Sequence, residues 1–364
     1  MPKWGLSMKE GSILRWIKSN GDTVSKGDMI LEIETEKVVN EMESPEDGKI
    51  LKICASEGDT VPVGSIIAVC AKKDASNEEV DSFIEEFNSN FKAEVNTNEN
   101  EEDKNEKIKI SDLEINFMKN INSKKENILF IHGFGGDLNN WMFNQNELSE
   151  NFNTYAIDLP GHGISEKNIH TATLDELANL ISSFCNENNI ESVNLVGHSF
   201  GAGISIKTAS LNPNLINSLT LISPIGLGKE IDTTYLENFI NAESRRDLKK
   251  EISKLYFNSE IITRDMLNEV LKFLRIDNVQ KTLSKIQNEI IINGEQKNNL
   301  IDEINSMKIP VCVIWGKEDQ IIPSNHHQVL NDKIKIIIEN DCGHMAHIEK
   351  PSVVNNAINS IITG

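Results

Sequence analysis

The first seventy residues contain an internal repeat at one constant spacing. Gly21-Asp22-Thr23-Val24 returns as Gly58-Asp59-Thr60-Val61, and Gly11, Ile13 and Leu14 return as Gly48, Ile50 and Leu51. Self-similarity at a fixed offset indicates two copies of one supersecondary unit. The runs within each copy are short, rich in β-branched residues and bounded by Gly, Asp and Pro. We therefore expect strands joined by tight turns, each copy forming half of a small β-barrel or sandwich.

A lysine stands between the two copies, in Glu34-Thr35-Glu36-Lys37-Val38-Val39. The pseudosymmetry predicts an exposed turn there. With the opening Pro2-Lys3-Trp4-Gly5-Leu6-Ser7-Met8 and the Glu-Thr-Glu-Lys tip, residues 1–72 resemble a lipoyl domain, and the resemblance implies lipoate covalently attached to Lys37. Biotin carriers share this fold but usually place the lysine between two methionines. Since Glu36 and Val38 flank Lys37, lipoate is favoured; the alternative is an ordinary lysine on a polar hairpin.

Residues 73–107 are rich in Glu, Asn, Asp and Lys and poor in apolar residues. Such a segment cannot offset its ordering entropy by burial, which predicts an acidic flexible linker. About 35 residues of flexible chain have a reach of ~30 Å. A short amphipathic segment interrupts it, since Val80, Phe83, Ile84, Phe87 and Phe91 recur at helical spacing. Docking on a neighbouring domain is favoured for that segment over recognition of a partner.

From Ile108 onward, strand-like and helix-like segments alternate, which predicts a mostly parallel sheet with helices on both faces. Thr173 and Glu176 form a capping-box pattern before an amphipathic helix. Residues 229–307 break the alternation with helical patterns, as a cap inserted over a pocket would. The predicted buried strands are Ile128 to Ile131, Val193 to Val196, Leu219 to Ile222 and Val311 to Ile314.

The pentapeptide Gly197-His198-Ser199-Phe200-Gly201 follows a predicted strand and precedes a predicted helix. This context is typical of a nucleophile elbow, in which a strained turn exposes the serine hydroxyl. Both flanking glycines are needed because strand and helix approach closely there. Since such pentapeptides also arise by chance, the prediction depends on the partners of Ser199.

Asp319 and His344 follow Ser199 in the chain order of an α/β-hydrolase triad. Each comes after a predicted strand. A histidine can take the serine proton and return it to a leaving group, while an aspartate holds the ring in the right tautomer. Asp341 and His347 are rival candidates, but their positions beside His344 fit loop support better.

A second glycine-rich turn follows a strand at Ile131-His132-Gly133-Phe134-Gly135-Gly136. Glycines there leave backbone N–H groups free, so we expect the amides of Phe134 and Phe200 to form an oxyanion hole. We interpret His132 and His198 as packed, hydrogen-bonded residues and His162 as a residue that shapes its loop.

Residues 108–364 resemble the α/β-hydrolase superfamily on these motifs. The chain is thus predicted to be multidomain, with a small all-β lipoyl/biotinyl-type barrel followed by an α/β-hydrolase domain with a helical cap. This combination resembles the dihydrolipoyl acyltransferase components of acetoin dehydrogenase complexes. The resemblance implies that a lipoylation enzyme modifies the chain and that a thiamine-diphosphate-dependent acetoin dehydrogenase component loads an acetyl group onto the lipoyl arm. The chain would then transfer the acetyl group to coenzyme A, and dihydrolipoyl dehydrogenase would reoxidise the arm. The resemblance also implies a homo-oligomer.

The chain departs from the wider acyltransferase class. It lacks the H-x-x-x-D-G motif of the usual trimer-forming catalytic domain and shows no peripheral-subunit-binding domain in the linker. We therefore expect acyl transfer to proceed through Ser199. Two alternatives remain open: a true serine hydrolase of esters, thioesters or carbon–carbon bonds, and a non-catalytic lipoyl carrier and scaffold.

Charge and cysteine content argue against nucleic-acid binding, membrane binding, a disulfide framework and a metal site. A formal net charge of −20 argues against nucleic acid or an anionic membrane surface as a partner. The five cysteines are widely spaced without a C-x-x-C pair, so neither a disulfide framework nor a metal site is indicated. No apolar signal core and no run of ~18 apolar residues is present, so we expect a cytoplasmic protein.

Overall fold

The computed structural model divides the chain into two compact units, Met1–Asp103 and Lys104–Gly364. Lys37 and the residues Pro2 to Met8 lie outside the described residues. The structure describes residues 1, 10–34, 39–72, 75–98, 105–122, 125–170 and 172–364.

The first unit is built from two small antiparallel sheets with strand orders β4-β3-β1-β6 and β2-β5-β7. Its core contains Ile13, Leu31, Ile33 and Ile50, all nearly inaccessible to solvent. The small all-β fold predicted for this part of the chain is confirmed. Its strands are β1 (Glu10–Trp16), β2 (Thr23–Val24), β3 (Met29–Glu34), β4 (Val39–Glu43), β5 (Gly48–Ile53), β6 (Thr60–Pro62) and β7 (Ala68–Ala71).

The two sequence repeats exchange equivalent hydrogen bonds. The Gly21 amide donates to the Ile50 carbonyl at 2.7 Å, and the Gly58 amide donates to the Ile13 carbonyl at 2.7 Å. Both glycines have positive φ, 92° and 88°, which explains why glycine stands at each turn. Each repeat therefore completes the backbone hydrogen bonding of the other.

Strand β3 precedes the predicted lipoyl position, and strand β4 follows it. Glu34 pairs with Val39 at its end, and Lys37 belongs to the four residues between them. Glu32 lies directly opposite Glu41, although like charges in that arrangement destabilise a sheet. Arg15 offsets part of this repulsion, since its guanidinium lies 2.7 Å from the Glu32 carboxylate.

Helix α1 (Asn77–Asn98) occupies much of the predicted linker. A capping box starts it, because the Glu79 amide donates to Ser76 Oγ and the Ser76 amide donates to Glu79 Oε2. Val80 is buried, and Lys52 Nζ lies 2.5 Å from Asp81 Oδ1. The sequence predicted only a short helical segment in residues 73–107, whereas the helix spans Asn77–Asn98; the Ser76 cap and the buried Val80 lie where it begins.

The second unit contains an eight-stranded sheet with the order β17-β16-β13-β12-β10-β11-β9-β8. The β8–β9 and β9–β11 pairs are antiparallel, and the remaining pairs are parallel, so the predicted mostly parallel sheet is confirmed. Its strands are β8 (Asn105–Ile110), β9 (Leu113–Asn120), β10 (Asn127–Ile131), β11 (Asn153–Ile157), β12 (Val193–His198), β13 (Ile216–Ile222), β16 (Val311–Gly316) and β17 (Lys335–Glu339).

Helices cover both faces of this sheet. The Thr173 and Glu176 capping box is formed at the start of α3, as the sequence indicated. The buried positions of α3, among them Leu177, Ile181 and Phe184, face the core. These helices are α2 (Met142–Leu148), α3 (Leu174–Glu187), α4 (Phe200–Leu211), α10 (Ala346–Glu349) and α11 (Pro351–Thr363).

A mostly helical cap is inserted between β13 and β16. On α6, Leu248 and Ile252 are buried, while Arg245, Arg246, Lys249 and Lys250 are exposed to solvent. Across the described ranges, every helix is too short or too polar to span a bilayer. The cap consists of α5 (Thr233–Ile240), α6 (Arg245–Ile252), α7 (Arg264–Leu274), α8 (Val279–Ile290), the hairpin β14 (Ile291–Ile292) and β15 (Glu295–Gln296), and α9 (Ile301–Asn305).

Candidate active site

Ser199 occupies a sharp turn between β12 and α4. Its φ of 51° and ψ of −110° are strained for a residue with a side chain, as a nucleophile elbow requires. A Cβ atom added at Gly201 would lie 2.3 Å from the Ile131 carbonyl oxygen, and one added at Gly197 would lie 2.5 Å from Ser205 Oγ. The two flanking glycines are therefore required by close approach.

His344 and Asp319 are hydrogen-bonded to each other. The His344 Nδ1 atom lies 2.7 Å from Asp319 Oδ2, and both side chains are almost completely buried. Since a carboxylate only accepts, Nδ1 carries the proton of this bond, which leaves Nε2 as the nitrogen that can act as a base. This is the tautomer that a general base next to a serine needs.

The Asp319 carboxylate is held by three further donors. Oδ1 accepts from the amides of Ile321 at 2.8 Å and Ile322 at 3.0 Å. Oδ2 accepts from the Trp315 indole at 3.0 Å. With His344, these donors fix both oxygens and thereby the orientation of the histidine ring. Trp315 was not singled out from the sequence, because a tryptophan in a buried strand reads as a core residue.

Asp341 and His347, the alternatives to Asp319 and His344, do not occupy positions suited to a catalytic acid or base. Asp341 is exposed, and its φ of 49° places it in a turn. His347 is fully buried, with its ring centroid 4.5 Å from that of Trp141. Burial, followed by the nearby His344, lowers the pKa of His347 to about 3, so this ring is neutral.

Ser199 and His344 line one cavity of about 110 Å³ beneath the cap. Within the described part of the chain, no hydrogen bond joins Ser199 Oγ to the His344 ring. Such contacts are often loose without substrate and tighten when it binds. Apolar cap residues form much of the opposite wall: Ile231, Tyr235, Leu236, Phe239, Ile252, Leu255, Tyr256, Met266, Val270 and Ile290.

The backbone amides of Phe134 and Phe200 were predicted from the sequence to form the oxyanion hole. Phe200 is the first residue of α4, where backbone N–H groups have no partner within the helix. The Gly135 amide, next to Phe134, donates instead to His162 Nε2 at 3.1 Å. Among the described residues, no protein acceptor receives the amide of Phe134 or of Phe200. Phe134 lines the cavity together with Ser199, and Phe200 directly follows Ser199 in the chain.

Three further histidines near the site are hydrogen-bonded to the backbone. His132 lies between the Gly133 carbonyl, 2.7 Å from Nδ1, and the Leu159 amide, 3.0 Å from Nε2. His162 and His198 are likewise buried and each has at least one backbone partner. Burial lowers the pKa of all three. They are packed, neutral residues, in agreement with the sequence interpretation.

Two carboxylates that hold the histidine loop (residues 340–345) were also missed from the sequence. Glu318 Oε2 accepts from the Cys342 amide at 3.1 Å, and Glu349 Oε2 accepts from the Gly343 amide at 2.7 Å. Their acidic type next to Asp319 and His344 was visible in the sequence. The contacts they make depend on the folded course of the loop, which no local pattern specifies.

Family comparisons divide the chain as the fold does. Residues 126–351 match the family described as alpha/beta hydrolase fold, and residues 1–70 match the one described as biotin-requiring enzyme. A solved structure of the meta-cleavage product hydrolase from Pseudomonas fluorescens IP01 superposes with a TM-score of 0.64 at 18% identity, covering 71% of this chain and 97% of that one.

Two curated relatives match nearly the whole length. The dihydrolipoyllysine-residue acetyltransferase component of the acetoin cleaving system from Cupriavidus necator is 32% identical, over 100% of this chain and 96% of the relative. The protein of the same name from Pseudomonas putida is 34% identical, over 98% of this chain and 95% of the relative. Both alignments therefore include the β-unit and the serine site together.

Proposed function

Because the chain belongs to the alpha/beta hydrolase fold family and, over its full length, to the family of dihydrolipoyllysine-residue acetyltransferase components of acetoin cleaving systems, we propose that it transfers an acetyl group from a lipoyl-lysine at Lys37 to coenzyme A. The supporting observation is the fusion of a lipoyl-type unit with a cavity that contains Ser199 and the Asp319–His344 pair.

The residues around Lys37 fit a carrier role. The β3–β4 pairing closes at Glu34 and Val39, which leaves a four-residue connection for the lysine at the end of the hairpin. Lipoate attached there would supply a dithiol that carries an acyl group as a thioester. A tethered acyl group reaches its acceptor site at a high effective concentration if the connecting chain spans the gap.

In the first half-reaction Ser199 Oγ would form a bond to the thioester carbonyl carbon while His344 Nε2 accepts the hydroxyl proton. The amides of Phe134 and Phe200 would stabilise the negative charge on the carbonyl oxygen. The carbon–sulfur bond then breaks, and His344 returns its proton to the departing thiolate sulfur. Ser199 is left as an acetyl ester.

In the second half-reaction His344 would accept the proton of the coenzyme A thiol as its sulfur forms a bond to the ester carbonyl carbon. The bond between carbon and Ser199 Oγ breaks, and His344 protonates that oxygen. Asp319 keeps the ring in one tautomer through both steps. The apolar cavity wall excludes water, which would otherwise divert the acetyl ester to acetate.

The test compares full-length protein made with and without lipoate. Intact mass should show one lipoyl group that is lost in Lys37→Arg and kept in Lys26→Arg, a control at an exposed lysine of the same unit. Lipoylated protein should acetylate coenzyme A from an acetyl-dihydrolipoyl donor, and Ser199→Ala should lose this activity by a factor of at least ~10³. Transfer undiminished in Ser199→Ala would contradict the role of Ser199, and absence of transfer by the lipoylated wild-type protein would favour a non-catalytic carrier and scaffold.

A serine hydrolase is the second candidate, favoured by the triad-like geometry in an enclosed apolar cavity. In that case the wild-type protein consumes acyl esters or thioesters at the same rate with and without coenzyme A. We further infer that the protein works with other components, a thiamine-diphosphate-dependent acetoin dehydrogenase component and dihydrolipoyl dehydrogenase. Retention of either on the immobilised full-length chain would test that inference.

A further inference from the structure

The histidine loop is in direct backbone contact with the strap, which we define as cap residues 255–258. A Cβ atom added at Gly343 would lie 2.7 Å from the Leu255 carbonyl oxygen and 2.8 Å from the Phe257 nitrogen. The Met345 amide also donates to the Leu255 carbonyl at 3.2 Å. No side chain fits between the two segments at Gly343, so displacement of the strap alters the packing one residue from His344.

Glu349 joins the same two segments through its carboxylate. Oε1 accepts from the strap amides of Phe257 at 2.8 Å and Asn258 at 3.2 Å. Oε2 accepts from the Gly343 amide of the histidine loop at 2.7 Å. Charge-assisted hydrogen bonds of this kind are stronger than those between neutral groups. One carboxylate therefore binds the cap on one side and the support of His344 on the other.

The strap is also part of the cavity wall. Leu255 and Tyr256 line the cavity together with Ser199 and His344, and Tyr256 is buried. The strap thus forms part of the wall around Ser199, which is itself buried. If it moves away to admit a substrate, the hydrogen bonds at Glu349 that connect it to the histidine loop must lengthen or break.

We propose that Glu349 is a positioning residue that couples the strap to His344, so that the serine site is competent only while the strap covers the cavity. This inference rests on the proposed acetyl transfer. Attack on the acetyl ester by water requires His344 as a base, just as attack by a thiol does. With the strap in place water is excluded, and with the strap displaced the base loses its support, so the ester is protected from hydrolysis in both states.

The experiment measures how acetyl groups divide between coenzyme A and water in the full-length lipoylated protein. Glu349→Gln retains one accepting oxygen, but its NH₂ group faces a backbone donor on the other side, so one of the two links is lost. We expect transfer to fall ~10-fold, the effect of one hydrogen bond, and the share of acetyl groups released as acetate to rise several-fold.

Glu318→Gln is the matched control. Glu318 holds the same loop through the Cys342 amide at 3.1 Å, and its hydrogen bond stays within the loop region rather than reaching the strap. We expect its transfer rate to fall without a change in the share lost as acetate. If Glu349→Gln is too unstable to purify, Glu349→Asp, which keeps the charge but shortens the side chain, should show the same shift in partition.

The outcomes separate the two proposals. If wild-type protein does not acetylate coenzyme A, the proposed function fails, and this inference fails with it. If wild-type protein transfers acetyl groups but Glu349→Gln keeps the wild-type partition, or matches Glu318→Gln, only the coupling by Glu349 is overturned.

Discussion

His198 Nε2 lies 3.1 Å from the backbone carbonyl oxygen of His344. Because a carbonyl only accepts, His198 carries its ring proton on Nε2, and its buried Nδ1 has no hydrogen-bond partner among the described residues. The residue before the serine nucleophile candidate therefore supports the backbone of the histidine that would activate it. The rings of His198 and His344 are also in edge contact, with centroids 4.6 Å apart.

Replacing His198 by Phe keeps a ring in this position but removes the donor to the His344 carbonyl. We expect the free energy of unfolding to fall by about 1–3 kcal/mol, the effect of leaving a buried carbonyl unpaired. Acyl transfer should fall roughly 10-fold as the histidine loop shifts. Thermal unfolding and steady-state kinetics measure the two effects; full activity in a folded His198→Phe protein would contradict the support described here.

Asp319→Asn should reduce kcat by a factor of ~10³–10⁴ without unfolding the protein. The amide group can present only one accepting oxygen, while the carboxylate now receives the Trp315 indole, His344 and two backbone amides. His344 would then be held in the wrong tautomer. Circular dichroism checks the fold and a single-turnover assay checks the rate; a loss below ~10-fold would remove Asp319 from the triad.

Acid pH should destabilise the second unit through its buried histidines. Burial lowers the pKa of His132, His162 and His198, and lowers that of His347 to about 3. An unfolded chain takes up protons at these residues near pH 6.5, whereas the folded state resists them. Stability is thus fully present above that pH and is lost as pH falls, by up to about 1.4 kcal/mol per pH unit for each residue.

The check is the pH dependence of the denaturation midpoint in His347→Phe and wild type. His347 has no hydrogen-bond partner on either ring nitrogen within the described residues, so the substitution removes only a protonation site and a buried polar group. The variant should lose less stability than wild type between pH 7 and pH 5. Parallel curves for the two proteins would show that folding does not lower the pKa of His347.

Asp137 should have the opposite pH dependence. Burial, followed by the charge of Asp158, raises the pKa of Asp137 to about 6. The folded state therefore holds a proton that the unfolded chain releases at lower pH, and stability falls as pH rises from about 4 through 6. Asp137→Asn should raise the free energy of unfolding at pH 8 by at most about 3 kcal/mol and leave it unchanged at pH 4.

Asparagine is a suitable replacement because the Asp137 side chain accepts from the Asn139 amide at 2.8 Å to cap a short 3-10 helical turn. Asparagine serves equally well at that position. Chemical denaturation at the two pH values provides the measurement. An equal change at both pH values would mean that the ionised carboxylate is not the destabilising group.

Local sequence patterns predicted much of the architecture. The repeat at Gly21 and Gly58 predicted two equivalent turns, and the glycines around Ser199 predicted a close approach that the backbone now accounts for. The choice of Asp319 over Asp341 rested on their positions, since Asp319 follows a predicted strand whereas Asp341 lies beside His344, and the hydrogen bond between Asp319 and His344 agrees with that choice. In each case the pattern reflects a requirement of neighbouring residues on the chain.

Long-range contacts could not be inferred in the same way. Glu349 binds strap amides more than ninety positions earlier, and Lys52 of the β-unit forms an ion pair with Asp81 of α1. None of these partners is set by periodicity, because each depends on how separate elements meet.

The exchange of hydrogen bonds between the two repeats has a consequence for biosynthesis. The Gly21 amide needs the Ile50 carbonyl, and the Ile13 carbonyl needs the Gly58 amide. A nascent chain that has emerged only as far as the β3–β4 hairpin therefore lacks the acceptor of its Gly21 amide. The backbone hydrogen bonds of the first repeat are thus completed only after the second repeat has left the ribosome.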